Sequence, residues 1–155
     1  MKKTEISDRW DESSCGGCAN HGAYNMNPTF VCNILDDCEA ILRIRVVSEQ
    51  HNGEWVSDPD KFKYTVNAGM FGYYLQKFPP QPGSLNLRGL KSPVLSTYGG
   101  KYYNNQSALV SERKKIQKGA YLVVASTFDP HQYARFEVTI YTSTNLIDWV
   151  KYKLH

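Results

Sequence analysis

Residues 120–128, Ala-Tyr-Leu-Val-Val-Ala-Ser-Thr-Phe, constrain this chain more than any other stretch. They form its longest uninterrupted apolar and β-branched run, opened by Lys118-Gly119 and closed by Asp129-Pro130. A strand with one wet face would alternate, so a continuous run between turn residues predicts a strand buried on both faces. Pro130 and the β-branched content argue against a helix. The other segments must then pair with this strand or pack over it.

The clearest alternation lies in residues 40–47, with Leu42, Ile44 and Val46 on one face and Arg43 and Arg45 on the other. Residues 29–34 read as the strand before it, and the turn at Asp36-Asp37 makes the two a hairpin with one wet face. Further strands are expected at 70–75, 94–98, 109–116 and 135–141, and the less regular residues 146–154 read as an edge strand or tail. Gly72 marks a bulge or a close contact. Residues 1–14 read as a polar leading arm anchored by Trp10. Residues 49–68 carry the turn signals Asn52-Gly53 and Asp58-Pro59, and the proline-rich residues 78–83 form an irregular loop. About eight strands, no convincing helix and irregular connections predict an all-β fold, an antiparallel β-sandwich.

At 155 residues and 41% hydrophobic content the chain fits one domain with a sizeable core. A net charge of +3 is too small to imply nucleic acid, so electrostatic partners must come from local clustering. No window approaches the ~20 apolar residues of a membrane span. The basic start, Met1-Lys2-Lys3, has no apolar core after it, so it is not read as a secretory signal. The expected location is therefore the cytoplasm, with reduced cysteines.

Cys15-Gly-Gly-Cys18 has the spacing of a zinc pair, with His21 nearby. A structural zinc site needs two more ligands of comparable spacing, and Cys32 falls in a strand pattern instead. Glycines making a tight turn among buried thiols is the favoured reading, and a metal-binding protein or small enzyme using the Cys15/Cys18 loop is the alternative. No nucleophile, base and orienter stand together, and no Gly-rich phosphate loop is present. Calcium would need several loop oxygens. The candidates are Asp36, Asp37 and Glu39, joined by Asp129 after the long apolar strand, with Asp58 and Asp60 as a further acidic pair. Basic residues are better grouped. Arg43 and Arg45 share a strand face, Lys61 and Lys63 are close in sequence, and Arg113, Lys114, Lys115 and Lys118 lie in one short stretch. Such a face suits anionic lipid or an acidic partner surface, though a solvated or edge-protecting strand explains it equally.

Two motif blocks are familiar. Trp10, then Cys15-Gly16-Gly17-Cys18-Ala19-Asn20, then Asn27-Pro28-Thr29-Phe30 resembles the opening of the calpain-type β-sandwich domain (domain III, C2-like). The second block, residues 119–130, resembles that domain's Pro-Gly-x-Tyr … Pro-Ser-Thr-Phe segment, and residues 136–143 resemble its closing strand. The resemblance runs from about Trp10 to Ser143. It implies an eight-stranded C2-like sandwich over residues 1–143, with residues 144–155 as a C-terminal edge strand or tail. It further implies a non-catalytic regulatory module of a calpain-like cysteine protease. Such a module docks to the protease domain and binds acidic phospholipid at a peripheral membrane position, with calcium as the only cofactor in view. On this reading Cys18 is structural. The loop 35–39 is much shorter than the acidic loop of some members, which speaks against calcium dependence, and Ala125 stands where the pattern has Pro.

Overall fold

The structure, a computed structural model, describes residues 1–14, 17, 26–72, 92–103 and 108–144, and the backbone of 147–152. Among these lie eleven strands. They are β1 (Lys2–Trp10), β2 (Thr29–Ile34), β3 (Cys38–His51), β4 (Glu54–Val56), β5 (Val66–Gly72), β6 (Leu95–Ser96), β7 (Leu109–Val110), β8 (Lys114–Ile116), β9 (Gly119–Thr127), β10 (Ala134–Thr142) and β11 (Ile147–Tyr152). One antiparallel sheet runs β1-β10-β3-β4, with β7 and β8 also paired to β3, and the other runs β11-β2-β9-β5-β6. The fold is all-β and sandwich-like, as the sequence predicts, with more and shorter strands than the eight expected.

The apolar run is β9, the middle strand of its sheet. Tyr121, Val123 and Ala125 join the main core, while Leu122, Val124 and Ser126 on the opposite face are also buried, so both faces are covered. Facing strands contribute Leu42 and Ile44 from β3 and Phe136, Val138 and Ile140 from β10. Completely burying each such side chain stabilises by about 1.5–3 kcal/mol.

Several expectations change. Residues 29–34 and 40–47 are not a hairpin: β2 pairs with β9 and β11, whereas β3 pairs with β10. The chain crosses between sheets at residues 35–37. The burial of β2 on nearly every residue marks a strand with no wet face to offer. The leading arm is a nine-residue strand, β1, in full register with β10 from Lys2↔Thr142 to Trp10↔Ala134. Only Ile6 and Trp10 among its inward residues are apolar, so periodicity could not show it; charged edge strands are written this way. Finally, residues 109–116 form two short strands. Ser111 interrupts them, its backbone N–H donating to Leu42 O (2.7 Å) and its hydroxyl accepting from Leu42 N–H (2.8 Å). The polar stretch after β3 also holds β4, joined through Asn52 (φ 51°) and Gly53 (φ 80°), the left-handed pair of a type I′ hairpin. Residues 73–75 and the proline-rich loop lie outside the described residues.

One contact ties the sheets together. The β2–β9 register places Pro28 opposite Ala125, whose N–H donates to Pro28 O (3.1 Å). Proline has no N–H to return that bond. The indole Nε1 of Trp10, fully buried, instead donates to Ala125 O at 3.0 Å, reaching over from the other sheet. Its ring packs on Phe136 with centroids 4.2 Å apart.

Candidate functional site

Strand register sorts the candidate residues into two ends and one face. Glu39 pairs with Lys115 and Ile34 with Gly119, so the 35–37 turn, β8 and Lys118 share one end. Glu49 pairs with Val56, Val66 with Thr127, and Trp10 with Ala134, so the β4 hairpin, Lys61, Lys63 and the Asp129 loop share the other. Ten residues of β3 separate Glu39 from Glu49, roughly 33 Å at the strand rise.

At the β8 end, Asp36 and Asp37 are exposed in the turn. The Asp37 carboxylate accepts from Lys118 N–H at 2.9 Å, and Glu39 pairs with Arg113. A cleft of ≈490 Å³ opens between Asp37, Cys38, Glu39, Lys115, Ile116 and Ser143. Burial raises the Cys38 thiol, a hydrogen bond with Thr144 opposes that, and the Asp37 charge adds to the rise. Lys114 and Lys115 are exposed. Asp129 lies at the far end, so the four carboxylates proposed for calcium are not brought together. Among the described residues, no three His, Cys, Asp or Glu side chains gather as a metal site. Cys15, Cys18 and His21 lie outside the described residues. Gly17 between the two cysteines has φ 75°, which glycine adopts freely, and its carbonyl accepts from Asn27 Nδ2 at 2.6 Å.

On the outer face of the first sheet, Arg43 and Arg45 are half-buried, and acids stand among them. Arg45 pairs with Glu137. Glu5 accepts from the Thr139 hydroxyl at 2.9 Å, a bond that holds its carboxyl below the usual range, with Lys3 and Arg43 acting in the same direction. The basic residues therefore form separate groups: the charge-paired sheet face, the β8 end, and Lys61 and Lys63 at the opposite end.

That opposite end holds side chains the sequence did not single out. Glu49 is fully buried, yet its carboxylate is saturated: Lys63 N–H donates at 2.6 Å, Tyr64 N–H at 2.9 Å, and His51 Nε2 lies 2.9 Å away. This one acid fixes the path of the loop carrying Lys61 and Lys63. Asp58 caps the short 3-10 turn Pro59–Lys61 by accepting from Asp60 N–H at 3.0 Å. Nearby, the exposed rings of Tyr98 and Tyr103 stack (4.7 Å), and the exposed Phe128 packs edge-on against the half-buried Tyr102 (5.4 Å).

A groove of ≈360 Å³ runs along the first sheet's outer face at this end, lined by Ser7, Asp8, Arg9, Val47, Arg135, Phe136 and Glu137. A register shift between Arg135 and Phe136 pushes Val47 outward as a bulge. Arg9 and Arg135 stand directly opposite each other in the β1–β10 pairing. The Arg135 guanidinium lies 4.3 Å from the centroid of the exposed Trp55 ring. A contiguous basic run could not have revealed this pair, since its members are far apart in sequence.

Comparison with known proteins points one way. A family model described as calpain large subunit, domain III, matches residues 6–141, spanning both sheets. The calpain-like protease palB of Emericella nidulans is 24% identical over 143 residues, covering 92% of this chain and 14% of that protein. The serine/threonine-protein kinase 4 homolog B of Dictyostelium discoideum is 24% identical over 147 residues, covering 95% of this chain and 12% of that protein. The chain thus spans a small fraction of the length of the curated relatives it matches.

Proposed function

The chain belongs to the calpain large-subunit domain III family, a non-catalytic domain of calpain-like proteases, and we propose that it serves as the docking and regulatory domain of a larger calpain-like cysteine protease, binding the protease core. The observation that carries this reading is the family match across 6–141, which takes in both sheets and the Trp10–Ala125 tie. The similarity to a kinase homologue supports a module that works by contact, since a similar segment then recurs in proteins named for two different activities.

A second reading, anionic lipid binding, is favoured by one feature: Lys114, Lys115 and Lys118 are all exposed at a single end. Calcium is not required on this reading, because Asp129 lies at the opposite end from Asp36, Asp37 and Glu39. The location is cytoplasmic, peripheral at membranes when lipid is bound.

Co-elution of the purified chain with the protease core of its parent protein on size exclusion tests the first reading; separate elution at micromolar concentrations refutes it. Co-sedimentation with phosphatidylserine vesicles at low salt tests the second. Binding is expected with or without calcium and is weakened in Lys114→Glu/Lys115→Glu, by about 1 kcal/mol per lysine. The metal-binding alternative requires stoichiometric zinc in the purified protein by mass spectrometry.

A further inference from the structure

We propose that the groove between Arg9 and Arg135 is a binding site for a short acidic peptide segment, one carrying a carboxylate beside an aliphatic side chain. The groove goes beyond the docking reading and contains none of the lysines of the lipid reading. Like charges directly opposite on neighbouring strands repel, so the Arg9/Arg135 pair is unfavourable unless an anion bridges it. Among the described residues Arg9 has one weak ion-pair partner, Asp11 at 3.4 Å, with both side chains well exposed. Among the described residues no carboxylate pairs with Arg135.

Trp55 supplies pre-organisation. With the indole against its face, the Arg135 guanidinium is held in place while its N–H edge stays available for bidentate pairing with an oxyanion. Val47, turned outward by the bulge, and the Trp55 ring give an aliphatic side chain something to lie against. The surroundings also select against broad polyanions. Asp8 and Glu137, the latter held by Arg45, line the groove, and Asp11 stands at Arg9. A membrane surface or a nucleic acid would spread its charge over these acids, whereas a single carboxylate can sit between the two facing arginines. The volume, ≈360 Å³, lies at the low end of ligand-binding clefts and suits a few residues of peptide.

The test is a titration of the isotope-labelled chain with the peptide Ser-Leu-Asp-Leu-Glu-Leu-Ser, followed by side-chain NMR. The Nε–H signals of Arg9 and Arg135 and the Trp55 indole signal should shift together and saturate. Arg135→Gln and Arg9→Gln should each weaken binding roughly tenfold or more, the loss of a charge-assisted pair. Arg135→Lys keeps the charge and should still weaken binding, because the fork geometry is lost. Lys115→Gln should leave it unchanged. Unshifted backbone spectra of the variants show an intact fold, and Arg9→Gln suffices if Arg135 variants fail to fold. Absence of shifts at millimolar peptide, wild-type affinity in the Arg9→Gln and Arg135→Gln variants, or binding only of a phosphoserine analogue overturns the proposal.

Discussion

Single residues hold this fold at points where an apolar count says little. Glu49 is the sharpest case, a charged group with no exposure that accepts from two backbone N–H groups and contacts His51. Glu49→Ala strands the Lys63 and Tyr64 donors. It should cost about 3 kcal/mol or more in urea unfolding, with hydrogen exchange in residues 58–64 rising first. Cys32 is the opposite kind of residue, a thiol buried in β2 and pushed up to about 12 by desolvation from a usual value of 9.0. The unfolded thiol ionises first, so the folded state keeps its proton through that window. Stability should be level below pH 9 and fall by about 1.4 kcal/mol per pH unit from there towards pH 12. Cys32→Val should flatten that slope in alkaline denaturation curves. On the acid side Asp11 contributes in the opposite sense. Burial works to raise its pKa, but hydrogen bonds from the Ser13 and Ser14 hydroxyls outweigh that and lower it. Whatever stability it contributes is lost as pH falls through the lowered value.

Among the elements, legibility followed burial. β9, β3 and β10 are long and carry continuous or alternating apolar residues, and the sequence placed all three. β1 escaped because its partner, β10, supplies most of the apolar surface, leaving β1 free to be polar. β4 is three residues long, too short for any period to register, while β6 falls inside the expected 94–98 segment and β7 and β8 inside the expected 109–116 strand, which Ser111 splits in two. The hairpin misreading of β2 and β3 has a different cause: local pattern shows that two strands are adjacent in sequence, not that they share a sheet. For the same reason the basic residues were legible as residue types but not as a surface, because their grouping depends on register. The Trp10 contact belongs to this scale, since it replaces a ladder bond that Pro28 cannot make. Trp10→Phe keeps most of the packing on Phe136 but orphans Ala125 O. It should cost about 1–3 kcal/mol in denaturant midpoint analysis, and it should loosen β1 exchange protection more than that of β3.

For the whole molecule, pairing is overwhelmingly non-local: β1 with β10, β2 with β9 and β11, β5 with β9. Domains of this topology fold in milliseconds to seconds, and stopped-flow refolding followed by tryptophan fluorescence should fall in that range. The fluorescence change should track β1 docking, because Trp10 is buried by that step. Lys2 meets Thr142, so β1 is separated in sequence from its partner by the eight strands β2 to β9. A ribosome translating at about 5–20 residues per second would hold β1 partnerless for several seconds or more. Its alternating charges then act as insurance during synthesis, keeping β1 soluble and unattractive to stray edges until its partner is made.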